Sequence, residues 1–103
     1  MAKITIKKLN RSWLGDATDD KLFWCHDGRV LRNLDELAAA LNEMAEETYL
    51  YHANIEKNDF SNWVRDVIGD ATLAGQLTKA ATQKAAARKV DMRLGTLRAS
   101  SRN

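Results

Sequence analysis

Three side chains able to close the first turn of a helix, each followed by apolar residues at three- and four-residue spacing, constrain this chain most. Asn33 stands three residues before Glu36, a pattern in which side chains reciprocally satisfy orphan amides. Leu34, Leu37, Ala38, Leu41, Met44 and Ala45 then form one face opposite Asp35, Glu36, Asn42, Glu43 and Glu46. Asn58 or Asp59 precedes the stripe Phe60, Trp63, Val64, Val67 and Ile68, and Gly69 suits the left-handed position just past its end. Asp70 precedes Leu73 and Leu77. Residues 47–55 are predicted helical as well, although Thr48, Tyr49 and Tyr51 are only middling helix formers. Proline is absent, so nothing forbids the last helix from running far towards the C-terminus.

The N-terminal third reads differently. Lys3-Ile4-Thr5-Ile6-Lys7 alternates with period two, as a half-buried strand does. After a polar connection through Gly15, Asp16, Asp19 and Asp20, Leu22-Phe23-Trp24-Cys25 is predicted to pair with Arg29-Val30-Leu31 across an Asp27-Gly28 type I′ turn. Consecutive strand residues face opposite ways, so either Phe23 or Trp24 leaves the buried face. That side is covered by Ile4 and Ile6, or it is a surface for a partner. The expected fold is α+β and mostly helical: an N-terminal β-hairpin packed on three or four helices, with a basic C-terminal helix projecting from the body.

Charge divides the 103 residues unevenly. Residues 1–78 carry nine Lys/Arg against thirteen Asp/Glu, whereas 79–103 carry seven against the single Asp91. This predicts a small domain over 1–78 and a basic, alanine-rich helical tail over 79–103. Continued from Leu73, Leu77 and Ala81, the apolar face of the last helix would run into Lys84 and Arg88, and Val90, Leu94 and Leu97 make a second stripe on a different face. The single Cys25 excludes an internal disulfide. No charged start with a long apolar run and no membrane-length apolar run is present, which together predict a cytoplasmic protein.

The succession Phe23-x-x-x-Asp27-Gly28, Leu34-x-Glu36-Leu37-x-x-x-Leu41-x-x-Met44, Tyr51-His52, Asn58-Asp59-Phe60-x-x-Trp63 and Asp70-x-x-Leu73-Ala74 resembles a family of small uncharacterised domains found chiefly in archaea. The resemblance spans residues 22–78 and implies a hairpin followed by helices. It implies no activity, cofactor or catalytic residue. At the other end, Val90 to Arg98, with aliphatic residues around Gly95-Thr96, resembles the short C-terminal cargo peptides that dock into encapsulin shells.

Catalytic and metal chemistry find little support in the residues. His52 beside Tyr51 is a general-base candidate, and Cys25, His26, Asp27 and Glu47 are potential ligands, but adjacent ligands on a strand diverge and no established metal spacing occurs. No phosphate loop or nucleophile elbow is present. No enzyme activity, metal or cofactor is therefore expected.

Seven cations on an alanine-rich backbone suit counterion release from a polyanion. The leading expectation is a non-enzymatic accessory factor binding RNA or DNA backbone through Lys79, Lys84, Arg88, Lys89, Arg93, Arg98 and Arg102, as a ribosome- or nucleoid-associated peptide does. The alternative is a protein adaptor or homo-oligomer docking through its Trp24 or Trp13 side and the Val90, Leu94 and Leu97 stripe. No membrane partner is expected.

Overall fold

Gly28 adopts φ 98° while no non-glycine residue has positive φ among the described residues, which rules out the type I′ turn. The computed structural model, which describes residues 9–100, instead centres the turn on His26-Asp27, with Gly28 N–H donating to Cys25 O at 2.9 Å. Cys25 N–H closes the loop on Arg29 O at 2.8 Å, so the hairpin is one residue wider than the Asp-Gly pair suggests. Strands β1 (Phe23–Trp24) and β2 (Val30–Leu31) pair antiparallel, Phe23 opposite Leu31 and Trp24 opposite Val30. The Ile4/Ile6 strand expectation lies outside the described residues. The polar connection before the hairpin contains two short 3₁₀ turns, Arg11–Leu14 and Asp19–Lys21.

The caps act as their chemistry requires. Asn33 accepts from Glu36 N–H at 2.8 Å and starts α1 (Leu34–Glu43), while the Glu36 carboxylate reaches back to Arg32 N–H at 2.9 Å. Helix α2 (Glu46–His52) follows after a break at Met44-Ala45. Asn58, not Asp59, caps α3 (Asp59–Trp63) through Ser61 N–H at 3.0 Å. The chain continues from α3 through a π-helical turn, Val64–Ile68, which ends with Gly69 N–H on Val64 O at 2.7 Å. Gly69 is required twice over: its φ is 98°, and a Cβ there would lie 3.3 Å from Trp13 Nε1. Asp70 then caps α4 (Ala71–Lys79) through Leu73 N–H at 3.1 Å.

The last part of the chain departs most from expectation. One continuous helix does not form: α4 stops at Lys79, Ala80 is extended, and α5 runs over Gln83–Ser100. Thr82 caps α5, its Oγ1 accepting from Ala85 N–H at 3.0 Å. Gln83 Nε2 donates to Leu41 O at 2.9 Å and Met44 O at 2.8 Å, satisfying carbonyls at the C-terminal end of α1. The start of α5 is thereby tied to the end of α1. At the other end Arg98 pairs with Asp35, at 2.6 Å to Oδ2. The two helices are antiparallel, and theirs is the most extensive helix–helix contact in the fold.

Consequently α5 does not project. Ala86, Ala87, Val90, Leu94 and Leu97 are buried in the same core as Phe23, Leu34, Leu37, Leu41, Phe60 and Leu73. The segment expected to begin a separate tail at residue 79 supplies one wall of that core. The break at Ala80–Thr82 explains the misplaced stripe, because it rotates α5 relative to α4, so a face extrapolated from Leu73 and Leu77 has no meaning beyond it. Among the described residues, no helix is long and apolar enough to cross a membrane.

Candidate nucleic-acid interface

The burial of Ala86, Ala87, Val90, Leu94 and Leu97 leaves the rest of the α5 circumference to solvent, and Lys84, Arg88 and Lys89 lie on that outward arc. Lys79, the last residue of α4, is also exposed. The seven expected contact residues therefore divide. Lys79, Lys84, Arg88 and Lys89 have no carboxylate partner among the described residues, and they flank the α4–α5 junction. Arg93 and Arg98 are both committed to ion pairs, and Arg102 lies outside the described residues.

Arg93 grips Asp70 with both arms of the guanidinium, Nε to Oδ2 at 2.7 Å and Nη2 to Oδ1 at 2.9 Å. The Asp70 side chain is 0% exposed and that of Arg93 12%. The guanidinium also lies 5.5 Å from the centroid of the Trp13 ring, the ring that packs on Gly69. This pair joins α5 to the N-terminus of α4 and is part of the core. Arg98 and Asp35 each sit at the helix end that suits their charge, near the C-terminus of α5 and the N-terminus of α1.

Elsewhere the cations of the body are also engaged: Arg29 with Asp27 and Glu43, Arg32 with Glu36, Lys57 with Asp59, and Arg65 with Asp66. Besides the four at the junction, only Arg11 and Lys21 lack a carboxylate partner among the described residues. Unpaired positive charge is concentrated over residues 79–89, which contain no acid. Glu46 lines a shallow cleft of about 340 Å³ together with Lys84 and tempers the field on that side.

The residues expected to dock a protein partner separate in the same way. Val90, Leu94 and Leu97 are buried inside this chain, so they cannot serve as a docking stripe or a cargo peptide. Trp24 is 71% exposed, as strand alternation requires once Phe23 is buried. Nearby in the chain, His26 stacks on Tyr51 with ring centroids 3.8 Å apart, and Lys57 lies 5.1 Å from the Tyr51 ring.

Both ring nitrogens of His52 are engaged within the protein. Its Nε2 accepts from His26 N–H at 2.9 Å, which puts the ring proton on Nδ1, 3.0 Å from Asp59 Oδ2. The ring is buried against Phe23 and Phe60, pinning the hairpin turn to α2. Burial pushes the Asp59 carboxyl up, but hydrogen bonds from Lys57 and His52 outweigh it and hold the carboxyl below the usual range. A depressed folded-state pKa contributes stability above the unfolded value of about 3.9, and that contribution is lost as pH falls through the folded value. We therefore expect the stability difference between wild type and Asp59→Asn in urea titrations to shrink as pH falls below about 4. A difference independent of pH down to about 2 would mean that the Asp59 carboxyl titrates alike in the folded and unfolded chain.

Burial chiefly, with a hydrogen bond to Asp27, pushes the Cys25 thiol up, so it stays protonated in the core at neutral pH. Among the described residues, no group of three or more His, Cys, Asp and Glu is placed to hold a metal.

One feature escaped the sequence. A cleft of about 590 Å³ opens between the α2–α3 loop and the α4–α5 junction. Tyr49, Leu50, Ile55, Asn62, Thr78, Ala80 and Ala81 contribute to its walls. The only sequence signal for it was negative, the weak helix propensity around Tyr49 and the polar run Asn54 to Asn58. Compared with family models, curated proteins and solved structures, the chain shows no match.

Proposed function

We propose that this protein is a non-enzymatic accessory factor, acting in the cytoplasm, that binds nucleic acid through the phosphate backbone at the α4–α5 junction. The observation that carries the reading is the concentration of unpaired cations there. Lys79, Lys84, Arg88 and Lys89 face solvent without carboxylate partners among the described residues, while most other described cations are ion-paired. An ion pair must be broken before its cation can neutralise a phosphate, so the free residues bind at lower cost.

The count of free cations sets the expected salt dependence. With about −0.9 per phosphate neutralised on a duplex, four contacts correspond to a slope of roughly −3 to −4 in log K against log salt. Seven contacts would give about −6. Fluorescence anisotropy with a labelled duplex across a salt series should give the smaller slope for the full chain. It should fall close to zero for Lys79→Ala/Lys84→Ala/Arg88→Ala/Lys89→Ala, a variant that leaves the core untouched. An unchanged slope in that variant would remove the proposal.

The exposed Trp24 face supports a second reading, an adaptor or homo-oligomer, since tryptophan and tyrosine dominate binding energy at protein interfaces. No duplex binding, together with concentration-dependent sedimentation abolished by Trp24→Ser, would favour it.

A further inference from the structure

The α4–α5 junction that carries the free cations also forms one wall of a cleft with the dimensions and the polar groups to hold more than a phosphate. Its volume of about 590 Å³ lies within the range of roughly 300–1,000 Å³ typical of small-ligand sites. One wall is the α4–α5 junction itself: Thr78, Ala80 and Ala81 line the cleft, with Lys79 between them and Lys84 in the next turn of chain. A strand whose backbone lies along these lysines would pass the mouth of the cleft.

Three polar groups at the cleft are open to it and have no hydrogen-bond partner among the described residues. Tyr49 is only 5% exposed, yet its hydroxyl has no hydrogen-bond partner among the described residues. Its neighbours are spoken for: Thr78 Oγ1 bonds to Ala74 O and Ser61 Oγ, and the Asn58 amide to Leu77 O and Ser61 N–H. Asn62 is exposed at the cleft and its side-chain amide is also without a partner among the described residues. The Ala81 N–H, in the extended link between helices, makes no hydrogen bond there either. An open hydroxyl, an open amide and an open backbone donor therefore line one site. Leu50 and the fully exposed Ile55 supply apolar surface beside them.

We infer that this cleft receives one unstacked adenine of a single-stranded nucleic acid whose phosphates lie on Lys79 and Lys84. An Asn amide presents a donor and an acceptor side by side, the complement of adenine N7 and N6. Unpaired bases splayed from single strands are bound in this manner, with apolar side chains against the base face. The inference rests on the phosphate-binding reading above but adds a base-specific term to it.

Anisotropy titrations of the full chain with three labelled single strands of equal length separate the two: oligo-adenylate, oligo-uridylate and an abasic sugar-phosphate oligomer. Oligo-adenylate should bind about tenfold more tightly than the other two. Tyr49→Phe, which keeps the ring stacked on Phe60, and Asn62→Ala, at an exposed position, should each reduce that preference severalfold while leaving the salt slope unchanged. Equal binding of all three strands with the slope intact would overturn the adenine site and leave phosphate binding standing. No binding of any strand would overturn both.

Discussion

A chain ending at Thr78 will not fold. Sequence charge alone would choose that position for removing a tail, but Val90, Leu94 and Leu97 are core residues, each at 5% exposure or less. Burying such side chains contributes about 1.5–3 kcal/mol apiece, so these three account for roughly 5–9 kcal/mol. Domains of this size have a total stability of about 5–15 kcal/mol. Truncation also strips the Gln83 side chain from Leu41 O and Met44 O and leaves the Asp70 carboxylate buried without its guanidinium. The expected result, followed by circular dichroism, is loss of the cooperative urea transition expected of the full chain. A truncated chain that unfolds cooperatively at the full-length midpoint would mean that α5 is dispensable to the core. The practical consequence is that polyanion binding has to be tested by charge substitutions in the intact protein.

The second large effect is at Asp70 and Arg93. Removing one partner of a buried ion pair typically costs about 3–5 kcal/mol, because the remaining charge is left in a low-dielectric site. Arg93→Met should therefore destabilise the fold by about that amount, and Arg93→Lys should recover only part, since one ammonium cannot replace the two-armed contact with Asp70. Asp70 has a second duty as the cap of α4, which Asn performs as well as Asp. The double variant Asp70→Asn/Arg93→Met removes both charges and keeps the cap, so it should be substantially more stable than Arg93→Met alone. A double-mutant cycle measured by urea denaturation gives the coupling directly. Single variants within about 1 kcal/mol of wild type would show that the pair is solvated and not buried.

How much of this was legible beforehand depends on the distance over which each feature is determined. Asn33, Asn58 and Asp70 cap helices because each side chain bonds to an amide three residues on, and such a contact is written in any short stretch of sequence. Gly69 is recognisable for the same reason, its left-handed φ following from the end of an apolar stripe. The hairpin was placed correctly but its turn was not, since Asp27-Gly28 is compatible with more than one loop and the His26 N–H bond to His52 favours the wider one. Thr82 is a cap that the alanine-rich surroundings concealed: with no glycine or proline nearby, nothing local marks α4 as finished.

The proposed interface was half legible. Lys79, Lys84, Arg88 and Lys89 are where composition put them, on the solvent side. Arg93 and Arg98 look identical to them in sequence, and only the approach of Asp70, 23 residues away, and Asp35, 63 residues away, takes them out of play. Val90, Leu94 and Leu97 likewise read as an unattached stripe until α1 supplies the surface they cover.

The sequence by itself determined where α1, α3 and α4 begin, which residues face inward in each, and the sign of the charge at the C-terminal end. Those features rest on contacts within a turn of chain or on composition. Tertiary structure alone decided that the last helix lies in the core, which cations are free, and that a cleft opens beside them. Each of these depends on groups 23 to 63 residues apart meeting in the fold, and neither helical period nor charge count carries that information.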